Sequence, residues 1–326
     1  LDVRYAALGA GVRGLGVHRG ALFGVLYAAA LRQGLEIASG RAVMGAESIS
    51  GRRRRLSFAS GASAGPFDLV LDALGVRSEL SPASGDLAYG ALWTSTPWPA
   101  GFSEDALEQR YSRASKMAGV LPVGARTRGG AREAAYFWSL RGDAHAAWRA
   151  APLDAWKEEA RALWPQTAPL LDQIRSHDQL VFARYAHRTA PRPVAAGLAH
   201  VGDAAHCTSP QLGQGANMAL LDALALAQAM MRQDDLDLAL HEYVRTRRLH
   251  VWLYQSASYL FTPVYQSDSA ALPWLRDRIM GPLTRLWPAG ATLAALVAGA
   301  WGAPLATIRP RVRGAPAAKA IKALLD

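Results

Sequence analysis

His200-Val201-Gly202-Asp203-Ala204-Ala205-His206-Cys207-Thr208-Ser209-Pro210-Gln211-Leu212-Gly213-Gln214-Gly215-Ala216-Asn217 is the stretch on which the reading of this chain turns. Before it, Val194 to Leu198 is an apolar run of strand length. Behind it, Met218 to Met231 is almost wholly apolar and reads as a helix buried on most sides. The order is therefore strand, an acid at the strand's carboxyl end, a loop punctuated by Pro and Gly, and a helix opening at Gly-Gln-Gly-Ala-Asn. Open α/β folds bind ligands outside the carboxyl ends of their strands. A carboxylate at that point can accept hydrogen bonds from sugar or ribityl hydroxyls. The glycines let backbone N–H groups approach a flat ligand, and the helix N-terminus offers partial positive charge to an anionic group.

Gly202-Asp203-Ala204-Ala205-His206, Pro210, Gly213-Gln214-Gly215-Ala216-Asn217 and Asp222 together resemble the second flavin-binding motif of the FAD-dependent aromatic hydroxylases. This is the group of p-hydroxybenzoate hydroxylase and the ubiquinone-biosynthesis hydroxylases. The resemblance implies that Asp203 holds the ribityl chain of FAD, while Gly202, Pro210, Gly213, Gly215, Ala216 and Asn217 lie against the flavin. It implies an α/β fold: a glutathione-reductase-like Rossmann FAD-binding domain, an inserted antiparallel β-sheet substrate domain and a helical C-terminal tail. The implied activity is monooxygenation of an aromatic or polyketide-like small molecule. NAD(P)H reduces FAD, O2 gives a flavin C4a-hydroperoxide, and one oxygen passes to the substrate. Such a cofactor carries the hard chemistry itself, so no catalytic side chain is assigned, and His206 reads as structural.

With 326 residues and 51% hydrophobic content the chain can bury a large core and divides into lobes. Its one cysteine, Cys207, excludes an internal disulfide framework. The eight histidines lack the close spacings of a zinc or iron site, so no metal is expected. No Gly-x-Ser-x-Gly elbow is present. No signal peptide or apolar span of transmembrane length is visible; the weakly hydrophobic run Ala289 to Leu305 reads as a packed helix, and a cytoplasmic location is expected. The formal net charge of +10 is carried mostly by scattered arginines, and only Arg52-Arg53-Arg54-Arg55 forms a block, at a hairpin turn after Gly51. No specific nucleic-acid role is read from it, and the oligomeric state is not legible.

Taken in order, residues 1–85 read as the first part of the FAD-binding domain. The family's dinucleotide fingerprint is a strand, G-x-G-x-x-G and a helix. Gly9 to Gly14 has similar spacing, but without a preceding strand or a following helix, so the first βαβ unit is expected to be lacking and the chain to be N-terminally truncated. A helix from His18 to about Gln33 puts Arg19 in its first turn, and the resemblance implies that Arg19 reaches the phosphate–ribityl side of FAD. Leu35 to Ile37, Arg41 to Ile49 and Leu56 to Ala59 read as short strands, and Phe67 to Ser78 as a buried strand ending in a turn. In the family's corresponding middle motif an Asp precedes the Gly; here Leu74 does, with Asp72 two residues earlier.

Residues 86–176 read as the inserted sheet, with strand runs at Ala88 to Thr94, Leu107 to Val120 and Ala134 to Leu140. Trp93, Arg110, Tyr111, Tyr136 and Trp138 are its candidates for lining a substrate pocket. Residues 177–260 return to the FAD domain through a strand at Leu180 to His187 and end in a helix, Leu236 to Leu260, with Arg245, Arg247 and Arg248 on its wet side. Residues 261–326 form the helical tail.

Two other functions compete. One is the same fold with different redox work, such as a reductase or a halogenase. A halogenase would show a tunnel lysine, and only Lys116, Lys157, Lys319 and Lys322 are available. The other is a truncated, non-catalytic remnant. The reading of the arginine block yields a direct test. Retention on duplex DNA should vanish by physiological salt and be the same when Arg52 to Arg55 are all changed to Ser; binding that survives salt and is lost in that variant overturns it.

Overall fold

The computed structural model describes residues 2–302 and 304, apart from 10, 285 and 287. Among the described residues before His18 there is no strand, only a short turn at Tyr5–Leu8. Helix α1 (Arg19–Arg32) follows, its first turn capped by His18 Nδ1, which accepts from the Gly20 N–H at 3.0 Å. None of its residues is buried, and Phe23, Leu26 and Leu31 are exposed.

Strands β1 (Val43–Ser48), β2 (Arg54–Phe58) and β3 (Ser63–Phe67) form an antiparallel meander. The strand expected at Leu35 to Ile37 is irregular backbone instead; Gly34 with φ 72° turns the chain just before it. The arginine block straddles the β1–β2 turn. Arg52 pairs with Asp237, while Arg54 in β2 donates to the carbonyls of Ala46 and Ala196.

The link between the two halves of the chain is a small sheet. Strand β4 (Val70–Asp72) runs parallel to β11 (Leu198–His200), and β10 (Val194–Ala195) adds antiparallel to β11. β4 is much shorter than the Phe67 to Ser78 strand expected, because Asp72 turns the chain. Its carboxylate takes the Leu74 N–H at 3.1 Å, the Ser78 hydroxyl at 2.6 Å, the Ser81 hydroxyl at 2.8 Å and His200 Nδ1 at 2.7 Å. Burial alone would raise the pKa of this carboxyl, but these hydrogen bonds outweigh it and the pKa is lowered.

A second sheet has the order β6–β7–β8–β5–β9 and is antiparallel throughout: β5 (Gly85–Pro97), β6 (Glu108–Ser112), β7 (Lys116–Ala125), β8 (Arg132–Arg141) and β9 (Val181–His187). Leu107 to Val120, expected as one run, is the β6–β7 hairpin, turned at Arg113 with φ 56°. β9, expected to lead back into the nucleotide domain, pairs with β5 from Val181↔Trp93 to His187↔Gly85.

Alternation along these strands sorts the side chains onto two faces. The back face (Leu92, Ala118, Val120, Tyr136, Trp138) packs into one apolar cluster with Trp148 of α2 (His145–Ala150), Trp156 of α3 (Leu153–Leu163) and Leu170 of α4 (Ala168–Leu171).

After β11 come α5 (Asp203–His206), α6 (Gly215–Arg232) and the 30-residue α7 (Leu236–Tyr265). α6 is not buried on most sides: Leu221, Ala225 and Ala229 pack on α7, while Leu220, Leu224 and Met231 are exposed. Within the tail, α8 (Ala271–Leu275), α9 (Gly281–Leu283) and α10 (Ala289–Val297) are short helices. Lys319, Lys322 and the rest of 305–326 lie outside the described residues. No helix among the described residues is long and apolar enough to cross a membrane.

The back-face core makes two opposite forecasts. Trp156→Ala should cost about 3–5 kcal/mol in urea unfolding, the range for emptying a large aromatic site. Tyr136 is fully buried and its hydroxyl has no hydrogen-bond partner among the described residues. Tyr136→Phe should therefore be neutral or stabilising by about 1 kcal/mol. A clear loss of stability in that variant would mean that the hydroxyl has a partner.

Candidate functional site

The corner begins where β11 ends. Val201 N–H donates to the Asp72 carbonyl at 3.0 Å, and Gly202 then turns the chain at φ 57°. A Cβ on Gly202 would sit 3.0 Å from the Ala219 Cβ of α6, so both the backbone conformation and the space call for glycine. The turn delivers Asp203 to the first position of α5. Asp203 is exposed, and its carboxylate has neither a hydrogen bond nor an ion pair among the described residues. Its Oδ1 lies 3.8 Å from where a Gly215 Cβ would stand, which places it at the mouth of α6. Partial desolvation raises its pKa, and the positive charges of His206 and Arg188 act the other way.

What holds this corner is Asp222, fully buried two turns into α6. One carboxylate oxygen accepts the Gly202 N–H at 2.8 Å and His206 Nε2 at 2.5 Å; the other takes Arg247 Nε at 2.7 Å. Burial would raise its pKa, yet His206 and Arg247 prevail and it is lowered. Arg247, expected on the wet side of the long helix, is only 2% exposed. His250 completes the cluster. Arg247 Nη1, which can only donate, lies 3.1 Å from His250 Nδ1, while Nε2 faces the Gly299 carbonyl at 3.2 Å. These partners require a neutral ring protonated at Nε2. Burial, followed by the charge of Arg247, lowers the His250 pKa to about 4.

The loop from Cys207 to Gln214 is pinned from behind by α7. Gln255 Nε2 donates to the His206 carbonyl at 2.6 Å. Ser209 Oγ lies 3.1 Å from Ser258 Oγ and 2.5 Å from Thr262 Oγ1, and Gln211 donates to Gln266 at 3.0 Å. Cys207 is a buried packing residue whose thiol pKa burial pushes up to about 11. Pro210 is exposed at the loop tip, and Gly213 closes the turn with φ 64°. α6 then opens with no side chain capping it, so its first N–H groups at Gly215 and Ala216 are left for a ligand or water. Asn217 is turned aside: its Nδ2 donates to Gln214 Oε1 at 2.7 Å, and Gln214 donates to the Val297 carbonyl of α10.

Strand alternation divides the five expected pocket residues. Trp93 and Tyr111 stand on the front face: Trp93 stacks on Phe137 at 4.6 Å and donates to the Tyr185 hydroxyl at 3.3 Å, while Tyr111 meets Tyr265 of α7 and Arg276. The Phe137 ring lies over Gly119, where a Cβ would come within 1.9 Å of it. Tyr136 and Trp138 do not line that face. Both point into the back-face core against Trp156, and Arg110 lies over the Trp164 ring at 4.8 Å on the same side. Arg19 is exposed at the start of α1, with no ion pair or hydrogen bond joining it to the Asp203 corner. Sequence reasoning missed Arg188, which donates to the carbonyls of Ala204 and Val76 and so bridges α5 to the turn after β4.

The buried cluster sets an acid limit to stability. A histidine with a depressed folded pKa contributes fully above its unfolded value of about 6.5 and loses that contribution as pH falls toward the folded value. The lowered Asp222 adds a further loss below about pH 4. Melting temperature should fall as pH drops from 6.5 to 4, and His250→Gln should flatten that segment. Asp222→Asn should cost about 3–5 kcal/mol at pH 7, since it strands Arg247 in the interior. A flat profile in the parent contradicts this account.

Residues 69–258 match the sequence model of the FAD binding domain family. A Rhodococcus erythropolis protein named for 2-heptyl-3-hydroxy-4(1H)-quinolone synthesis, AqdB1, is 35% identical over 108 residues, covering 33% of this chain and 27% of its own length. The aurachin C monooxygenase/isomerase of Stigmatella aurantiaca is 32% identical over 80 residues, covering 24% of this chain and 21% of its own. The match thus spans about a quarter of the length of these curated relatives. In three dimensions the chain is similar to Klebsiella pneumoniae HpxO, solved with FAD and uric acid: TM-score 0.64, 18% identity, 82% of this chain and 68% of the other. With the family match spanning more than half of the chain and including the glycine–aspartate corner, this chain belongs to the FAD binding domain family.

Proposed function

We propose that the protein is an NAD(P)H-dependent FAD monooxygenase acting on an aromatic or heteroaromatic small molecule. The observation that carries this is Asp203: an exposed carboxylate with no partner among the described residues, held between a forced glycine turn and the uncapped N-terminus of α6. A free acceptor beside free donors suits the ribityl hydroxyls and the pyrimidine edge of a flavin. When bound, FAD would supply hydride acceptance and oxygen activation. The protein's own task is to hold and shield.

In this reading Asp203 accepts from the ribityl chain, and Gly202 and Gly215 admit it at close range. Pro210 and Gly213 would shape the loop beside the ring, and the N–H groups of Gly215, Ala216 and Asn217 would favour negative charge on the bound flavin. The front face of the β5–β9 sheet, with Trp93 and Tyr111, roofs the substrate and excludes water. A relative named for a quinolone and a similar structure solved with uric acid support the substrate class. Arg19 remains assigned to the phosphate side of FAD. The described residues contain no strand–glycine–helix unit for the ADP half, so the roles of the Asp203 corner concern the ribityl and ring portions.

Neither described lysine favours a halogenase. Lys116 pairs with Glu159 and Lys157 lies near Asp154, both among the helices behind the sheet.

In the protein at its natural full length, Asp203→Ala should lose FAD on gel filtration and weaken FAD affinity ten- to a hundredfold, equivalent to ~1.5–3 kcal/mol for a charge-assisted hydrogen bond. Melting of the flavin-free protein should barely change, because no protein group depends on that carboxylate. Arg19→Ala should weaken FAD more mildly. Retention of FAD by Asp203→Ala at the parental level, or unfolding of that variant, refutes the assignment.

A further inference from the structure

A cavity of about 720 Å³ lies between the 187–193 segment and one face of α7. Its size is that of a drug-like ligand site. Asp203 takes no part in it, whereas Ala205 and His206 form its floor. The floor and one wall are tied together through the backbone: Arg188 N–H donates to the Cys207 carbonyl at 3.0 Å, and Ala190 N–H to the Ala205 carbonyl at 2.7 Å. The walls are mostly apolar, with Pro191 and Pro193 facing Val251 and Leu260. Trp252 and Tyr259 also line it and are 61% and 71% exposed, an unusual state for two aromatics two turns apart on a packed helix.

Its charge is one-sided. Arg188, Arg247 and Arg248 line the cavity, and no acidic side chain among the described residues does. Asp222 already compensates Arg247. Arg188 is 7% exposed, and its Nε is buried with no hydrogen-bond partner. Arg248 is exposed and has neither an ion pair nor a hydrogen bond among the described residues. An apolar chamber with surface aromatics and an uncompensated guanidinium is complementary to one ligand chemistry: an apolar body bearing a single anionic group.

We infer that this cavity is a second small-molecule site, separate from the flavin corner, that takes a hydrophobic monoanion such as an aromatic or acyl carboxylate. The ring or chain lies between the proline wall and α7, against Trp252 and Tyr259, and the carboxylate meets Arg248 at the mouth. Because Ala205 and His206 of α5 line it, occupancy would brace the short helix that begins at Asp203. The site does not depend on the function proposed above, and its test needs no catalytic turnover.

The probes are 1-naphthoate and decanoate, titrated against the full-length protein by quenching of tryptophan fluorescence and by calorimetry, with 1-naphthalenemethanol as the uncharged control. We expect one site of micromolar affinity for at least one of the two acids, with the alcohol about tenfold weaker. Preference for naphthoate assigns aromatic acids, and preference for decanoate assigns acyl chains. Arg248→Glu should weaken the acid about tenfold or more without changing the melting temperature. Ser256→Trp, which fills the chamber from α7, should abolish binding while FAD is retained. Asp203→Ala should bind the acid like the parent. Three results would overturn the inference: no saturable binding below millimolar concentration, equal binding of acid and alcohol, or loss of binding in Asp203→Ala with none in Arg248→Glu.

Discussion

One buried carboxylate organises the functional half of this molecule. Asp222 ties together the turn at Gly202, the ring of His206 and the guanidinium of Arg247, which belong to three different elements. A charge so deeply buried is tolerable because three donors meet it, one of them the guanidinium of Arg247. The consequence reaches the neighbouring residue. Because Asp222 satisfies the turn, Asp203 carries no structural duty and its acceptor capacity stays free. Asp72 does the same for the other segment of the chain, closing the turn after β4 and holding His200 on β11. Two internal acids thus fix the geometry so that one external acid can serve a ligand.

Much of this was legible in the sequence because it is local. The spacing of Gly202, Asp203, Pro210, Gly213 and Gly215 specifies backbone conformations that few other residues adopt, and the structure uses them at φ 57° and 64°. The inserted antiparallel sheet was legible too, since its long strands are rich in aromatics and alternate. What could not be read was direction. A strand pattern shows that Tyr136 and Trp138 share a face; it does not show which face meets the flavin side and which meets α3. Only the tertiary placement of Trp148 and Trp156 decides that, and it sends both residues to the core.

The same limit explains Arg247. Within Arg245-Thr246-Arg247-Arg248 nothing local distinguishes the arginine that turns inward to Asp222 from those that stay in water. Its partner lies 25 residues away on another helix, so the pairing belongs to the packing of α6 on α7. β9 was misplaced for a related reason. Its residues have strand character, but its pairing with β5 is a long-range choice that composition does not record.

The central claim is that the Asp222-braced segment 202–217 is the surface presented to a flavin. The most direct test is amide hydrogen exchange of the full-length protein with and without saturating FAD, followed peptide by peptide. Exchange should slow on FAD addition across 202–217, above all at the N–H groups of 215–217, and stay unchanged in the back-face strand segment 134–138. Unaltered exchange across 202–217 at saturating FAD would contradict the account.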